Sequence, residues 1–332
     1  MKKTPVRIGI VGCGNVLDAY WAAAEKLRHR GLAEVTLACG REAQRARVQG
    51  QLGVRSFTTR DEELVRSEEV DLVVVLTSPN THGPIARAAL EAGKHVLVEK
   101  PLSVSLEEAR DLVELSRRSR GRLACAPFTT LSPTYRTIGS RVRKGDIGRV
   151  LSARARYGWS GPWWSDWFYR PGGGSIFDLG VYCLTSLTGL LGPAKRVMAM
   201  TGAAIPERQV QGRRVRVEAD DNAQVLLDFG GSVFAAVTTG FTIQQYRSAA
   251  FELYGSEGTV QMTGDDWAPE GYELWQNSLG AWQLYREADT DWHWTDGLRH
   301  LVECIHGGTA PASGPEHALH VLEVMLKAQA SG

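Results

Sequence analysis

Along the first 126 residues the apolar positions follow two rhythms that alternate. Val6-Arg7-Ile8-Gly9-Ile10-Val11 is a short, nearly continuous apolar run, the pattern of a strand buried on both faces of a parallel sheet. It stops at Gly12-Cys13-Gly14, after which Val16, Leu17, Tyr20, Trp21, Ala24 and Leu27 recur at helical spacing. Strand-like runs return at 35–39, 71–76, 95–98 and 123–126, and helical stretches at 42–52, 81–92 and 105–119 separate them. Strand and helix in alternation, joined by right-handed crossovers, predict an α/β domain over residues 1–126 with a doubly wound parallel sheet of the Rossmann type.

From about residue 147 the rhythm changes. Short segments with β character follow one another at 150–157, 197–201, 215–217, 223–229, 232–240, 249–254, 259–262 and 272–275. Turn residues such as Gly230-Gly231 and Gly264-Asp265-Asp266 punctuate them. Helical patterns flank the strands at 180–191, at Leu298, Leu301, Val302 and Ile305, and at Leu319, Leu322, Met325 and Leu326. A second, α+β domain over 127–332 is therefore expected, and the chain shows no internal repeats.

At 332 residues, 43% hydrophobic and 23% charged, the chain can bury two cores. Its formal charge of +1 provides no global field for nucleic acid or an anionic membrane. Arg117, Arg118, Arg120 and Arg122 cluster where a helix should end, and the helix dipole favours cations there. The residues after Lys2 and Lys3 lack a signal peptide's apolar core, and no run approaches the roughly 20 apolar residues of a membrane span. The five cysteines (13, 39, 125, 183 and 304) contain no C-x-x-C pair, which argues against a disulfide framework or zinc and for a reducing cytoplasm. His293 has no second ligand at a sensible spacing, so no metal is expected.

The glycine turn brings in the first chemistry. A strand, a glycine turn and a helix let backbone N–H groups approach a pyrophosphate closely. Here the pattern is Gly12-x-Gly14-x-x-Leu17, without the third small residue, and Gly12, Gly14, Asn15 and Val16 are the expected cofactor contacts. An acidic residue at the end of the second strand would bind the ribose 2′-hydroxyl of NAD; this chain has Gly40-Arg41. A guanidinium there suits a 2′-phosphate, so NADP is favoured over NAD, although Glu42 follows immediately. Glu99 and Lys100 emerge at the carboxyl end of the 95–98 run, where ligands of open α/β sheets bind.

Several motifs together closely resemble the Gfo/Idh/MocA oxidoreductases, the family of glucose–fructose oxidoreductase and inositol dehydrogenase. They are Thr77-Ser78-Pro79-Asn80-Thr81-His82, the run from Gly93 to Glu99-Lys100-Pro101-Leu102, Gly172-Gly173-Gly174 through Asp178-Leu179-Gly180-Val181-Tyr182, and Tyr254-Gly255-Ser256-Glu257-Gly258-Thr259. The resemblance spans nearly the whole chain. It implies a two-domain dehydrogenase whose second domain is a large, open, mostly antiparallel sheet, often buried against another subunit, hence a homodimer or homotetramer. It implies Thr77, Ser78, Asn80, His82, Glu99 and Lys100 near the cofactor, Lys100 in catalysis, and a Lys-Pro peptide that is often cis.

Asp178 and Tyr182, four apart at a helix start, share a face. Many family members carry His where Tyr182 stands; Tyr resembles the glucose–fructose oxidoreductase, dihydrodiol dehydrogenase and xylose dehydrogenase branches. A free phenol, with a pKa of ~10, is too weak an acid for proton transfer at neutral pH, and the Lys100 ammonium would favour phenolate. Asp178 would hold the lysine or the substrate.

Where family members show an Asn-x-Arg-like stretch and a Trp-Arg pair, this chain reads Phe128-Thr129-Thr130 and Trp167-Phe168, within reach of an aromatic run from Trp159 to Tyr169. Phe128, Trp167 and Tyr169 are candidate substrate contacts, and packing of these rings in a core explains them equally well. The expected activity is NADP-dependent hydride transfer to or from a hydroxyl or carbonyl of a sugar, sugar derivative or polyol. The alternatives are a catalytically silent dinucleotide sensor and an NAD-dependent redox glycosidase.

Overall fold

The computed structural model describes residues 4–287, 289, 291–312 and 314–332. In the first part of the chain β1 (Val6–Val11) leads through the glycine turn into α1 (Leu17–His29) and β2 (Ala33–Cys39). There follow β3 (Ser56–Thr58), α2 (Asp61–Arg66), β4 (Leu72–Val75), α3 (His82–Glu91), β5 (His95–Val98), α4 (Leu106–Arg118) and β6 (Leu123–Cys125). The six strands pair in parallel in the order β3-β2-β1-β4-β5-β6, the Rossmann arrangement. Ile8, Leu72, Val73, Val74, Val75, Val96, Leu97 and Val98 are all 0% exposed, as continuous apolar strands covered on both faces require. The strand order reverses between β1 and β4, so the crevice for a ligand opens beyond Val11 and Val75.

Two local readings change. Residues 42–52 form no single α-helix; a 3₁₀ turn at Glu42–Gln44 gives way to a π-helical stretch at Ala46–Gln51. The Gln44 side chain is drawn back onto the Arg41 N–H and the Cys13 carbonyl, which tightens that first turn. β3 and α2, at three and six residues, are too short to show a period.

The second part opens with α5 (Pro133–Lys144), capped by the Ser132 hydroxyl on the Tyr135 N–H at 3.1 Å and closed by left-handed Gly145. The elements after it are β7 (Val150–Gly158), α6 (Val181–Leu191), β8 (Arg196–Gly202), β9 (Glu207–Val210), β10 (Arg213–Arg216), β11 (Asn222–Gly230) and β12 (Val233–Gly240). Then come β13 (Phe251–Gly255), β14 (Gly258–Asp265), β15 (Ala268–Gln276) and β16 (Ala281–Arg286). Eight strands pair in the order β16-β15-β14-β13-β7-β12-β11-β8, antiparallel throughout except for β7 with β12. Residues alternate across the sheet: Ala223, Val225 and Leu227 are 1% exposed, whereas Leu226 between them is 57% exposed. The expected strand at 215–217 belongs instead to the separate β9–β10 hairpin, and β16, exposed at every second residue, went unforeseen.

The chain closes with α7 (Gly297–Gly307) and α8 (Pro315–Ser331). The packing divides the chain into two compact units. One comprises residues up to Phe128 with Thr295–Leu319, the other Thr129–Trp294 with His320–Gly332. Long-range packing draws α7 back to the first unit. The Phe128 ring fills the place where a side chain on Gly297 would stand, and the His306 ring lies 2.9 Å from the Leu32 carbonyl. Local periodicity carries no sign of such a return. No helix among the described residues is long and apolar enough to cross a membrane.

Candidate cofactor and catalytic sites

The glycine turn uses its two glycines differently. Gly12 has φ +104°, and a Cβ there would lie 2.7 Å from the Leu76 carbonyl carbon and 2.8 Å from the Thr77 nitrogen. It is required for the close approach of the β1 and β4 ends. A Cβ on Gly14 would meet nothing within 4 Å, so the loop presents open backbone on its outer side, where a diphosphate needs to come close. Asn15 is exposed, Val16 partly so, and Leu17, standing in place of the usual small residue, is 1% exposed in the core. These residues fit a dinucleotide.

At the end of β2, Gly12 N–H donates to the Cys39 carbonyl at 2.9 Å. The Gln44 amide then bridges the two loops, donating from Nε2 to the Cys13 carbonyl at 2.6 Å and accepting the Arg41 N–H on Oε1 at 2.9 Å. Glu42 turns to Arg45, with Nε–Oε1 at 2.6 Å and Nη2–Oε2 at 2.9 Å, and this hydrogen bonding holds its carboxyl below the ordinary range. Arg45 also donates to the Phe57 carbonyl at 3.1 Å. Arg47 pairs with Asp18. Arg41 is exposed and forms no ion pair among the described residues.

Beyond β4, Ser78 and Asn80 are exposed, while the Thr81 hydroxyl donates to Thr77 Oγ1 at 2.7 Å. His82 is only 1% exposed, with Nδ1 2.7 Å from the Pro101 carbonyl and Nε2 3.0 Å from the Thr77 carbonyl. Its ring therefore ties the loops after β4 and β5 to each other. Burial pushes its pKa down, and the two carbonyls oppose that shift. Glu99 is 8% exposed and accepts the Tyr20 hydroxyl at 2.6 Å and the Lys100 N–H at 3.0 Å. The backbone of Lys100 is thereby tethered to the helix that follows the glycine turn, and the Lys100–Pro101 peptide is cis.

In the second unit the Gly172–Gly174 turn is fixed from a distance. Gly174 has φ +98°, and a side chain on it would collide with Asp220. Asp220 accepts the Ser175 hydroxyl at 2.7 Å, the Ile176 N–H at 3.0 Å and the Gln329 amide at 3.1 Å. The chain then makes a π-helical turn at Ile176–Gly180 and runs into α6, which is apolar on nearly every side. Such a helix is buried all round. Between residues 173 and 188 only Asp178 and Tyr182 escape full burial. The Tyr182 ring stands edge-on to Tyr157, centroids 5.5 Å apart. Burial, with Tyr182 as the next largest influence, raises the Tyr157 phenol above its ordinary pKa.

The aromatic run divides. Tyr169 is 1% exposed, its hydroxyl donates to the Pro162 carbonyl at 2.7 Å, and it packs with Phe241, Leu179, Val210 and Val217. Phe128 is likewise 1% exposed. Both are core residues, so the packing explanation holds for them; of the three candidates Trp167, half-buried against Phe168, keeps a partly open face. Sequence reasoning missed Tyr20, Gln44, Tyr157 and Asp220. The tight-turn signal at Gly174 was the only hint of the last.

A family profile described as "Oxidoreductase family, NAD-binding Rossmann fold" matches residues 6–126, and one described as "GFO/IDH/MocA C-terminal domain" matches 135–261. The chain is 30% identical over 270 residues to a trans-1,2-dihydrobenzene-1,2-diol dehydrogenase of Macaca fuscata fuscata, covering 80% of this chain and 76% of that one. It is 28% identical over 260 residues to a 1,5-anhydro-D-fructose reductase of Ensifer adhaerens, covering 76% and 74%. Among solved structures, levoglucosan dehydrogenase in complex with NADH and levoglucosan superposes with a TM-score of 0.87 at 18% identity, over 98% of this chain and 97% of that one.

Proposed function

We propose that this chain, which belongs to the Gfo/Idh/MocA oxidoreductase family, uses NADP to oxidise or reduce a sugar, sugar derivative or diol at a hydroxyl or carbonyl carbon. It is an NAD(P)-dependent dehydrogenase or reductase acting on CH–OH groups; the choice of NADP, the residues and the substrate class are the proposal. The observation that carries the chemistry is that Asp178 and Tyr182 alone surface from an otherwise buried stretch. A carboxylate and a phenol left partly open at the head of an otherwise buried apolar stretch are poorly explained by packing.

When bound, the nicotinamide supplies or accepts the hydride. Tyr182 Oη exchanges the hydroxyl proton, Asp178 orients the reacting group, and Lys100 shares the proton-transfer role from the segment that Glu99 tethers. Gly12, Gly14, Asn15 and Val16 receive the diphosphate, and Thr77, Ser78 and Asn80 line the cofactor crevice. Arg41 meets the ribose 2′-phosphate; the support is that Glu42, the acid that would repel it, is occupied by Arg45. Trp167 offers an apolar face to a ring substrate.

A homodimer or homotetramer through the open sheet face is part of this reading. Met198, Met200, Leu226, Phe234, Trp282 and Leu284, between 50% and 79% exposed, share that face by strand register. The five cysteines are buried and free, as suits a reducing cytoplasm. Absorbance of the reduced nicotinamide, followed against aldoses, inositols, keto-sugars and vicinal diols, tests the activity. Turnover of at least one class is expected; silence across the panel with cofactor binding intact would favour a sensor.

A further inference from the structure

We infer that Gln44 is a positioning residue that sets the preference for a 2′-phosphorylated dinucleotide by holding Arg41 against the glycine turn. The inference rests on the cofactor reading above and goes beyond it.

The Gln44 amide joins two loops that are distant in sequence. Its Nε2 faces the Cys13 carbonyl, which can only accept, and its Oε1 faces the Arg41 N–H, which can only donate. Each end has one compatible partner, so the orientation of the amide is dictated by its surroundings, and no carboxylate could serve both ends. Space for it comes from Gly40, where a Cβ would lie 2.8 Å from Gln44 Oε1 and 3.0 Å from Cys13 Sγ. Arg41 itself sits in an extended conformation at φ −71° and ψ 147°, with its N–H held and its guanidinium exposed.

The charges nearby leave Arg41 a distinct role. Glu42 and Arg45 neutralise each other through two hydrogen bonds, and Arg47 is occupied by Asp18. Arg41 is the cation of this turn that has no ion pair among the described residues. An exposed arginine carries much rotamer freedom, and fixing its backbone lowers the cost of closing on a phosphate. Gln44 is only partly buried and fills no core, so its loss empties no apolar cavity.

Fluorescence titration of the full-length protein with NADPH and NADH tests this, on wild type, Gln44→Leu and the isosteric Gln44→Glu, with thermal melts to verify folding. The expected result is a Kd for NADPH raised about tenfold in both variants, the scale of one charge-assisted contact. The Kd for NADH should stay within about twofold, because it makes no use of the guanidinium. Equal weakening of both cofactors would reduce Gln44 to a loop staple and overturn the inference, as would unchanged selectivity. A wild-type protein without NADPH preference would overturn the cofactor reading itself, and the inference with it.

Discussion

The loops at the carboxyl ends of the parallel strands and the head of α6 are supported in opposite ways. In the first, several separate side chains each tie two segments together, some across long stretches of sequence: Gln44 joins the Cys13 and Arg41 backbones, His82 the Thr77 and Pro101 carbonyls, and Glu99 the Tyr20 hydroxyl and Lys100 N–H. In the second, the Gly172–Gly174 turn and the π-helical entry to α6 hang on Asp220, 45 residues away from Ser175, and the Tyr182 ring leans on Tyr157 from β7. The first region resembles a set of short clasps, each adjusting one loop. The second is a single tertiary anchor whose loss would disturb everything that follows it. Buried carboxylates differ likewise: Glu99 has a donor on each oxygen, whereas among the described residues Asp266 accepts the Ser186 hydroxyl on Oδ1 and has no donor on Oδ2.

The largest expected effect separates the chemistry from either kind of support. Lys100→Met should lower kcat by about 10³-fold, the range of a lost proton-transfer group, with NADPH affinity nearly retained. Steady-state kinetics together with a binding titration would check this; a full loss of cofactor binding would instead make Lys100 a clasp like its neighbours.

Next comes the pH dependence of Asp266. Burial first, with the neighbouring Asp265 adding to it against the Ser186 hydrogen bond, pushes its pKa from 3.8 up to about 7. The folded state thus holds a proton that the unfolded chain releases. The resulting stabilisation is complete below pH about 4 and is lost as pH rises towards about 7, on the order of 4 kcal/mol in all. Denaturant melts of wild type and Asp266→Asn should show a difference in stability that grows with pH across that window and flattens above it. Parallel curves would contradict the assignment.

Asp220→Ala should cost about 3 kcal/mol, because it strands the buried Ser175 hydroxyl and Ile176 N–H at once. Rates should fall together with the melting temperature, and a stable but inactive variant would shift Asp220 into the chemistry. The smallest effect lies among the clasps. Arg41→Ala should raise the Kd for NADPH about tenfold and leave that for NADH nearly unchanged, as read by titration.

The same contrast governs what the sequence made legible. Where a signature lies within one short stretch of sequence, motifs sufficed: the β1 run forms a strand, and the glycine turn, Gly40-Arg41 and Glu99-Lys100-Pro101 lie in the loops that follow strands. The four-residue spacing of Asp178 and Tyr182 was equally readable, though not the π-helical turn beneath it. Residue type alone did not tell a core aromatic from one at a site: Phe128 and Tyr169, open in the sequence to either reading, are each 1% exposed. Asp220 and the return of α7 depend on contacts between distant segments, and no local pattern announces them. β16 escaped because it sits at the sheet edge, where its alternation includes exposed Trp282 and Leu284.

In the proposed reading Tyr182, partly open near the head of α6, exchanges the proton that accompanies hydride transfer. Single-turnover oxidation of bound NADPH by an accepted carbonyl substrate, measured across pH for wild type and Tyr182→Phe, addresses it most directly. The variant should lose at least about 10²-fold in rate and show an altered pH dependence, at unchanged NADPH affinity. A Tyr182→Phe protein that turns over at the wild-type rate with the wild-type pH profile would contradict it.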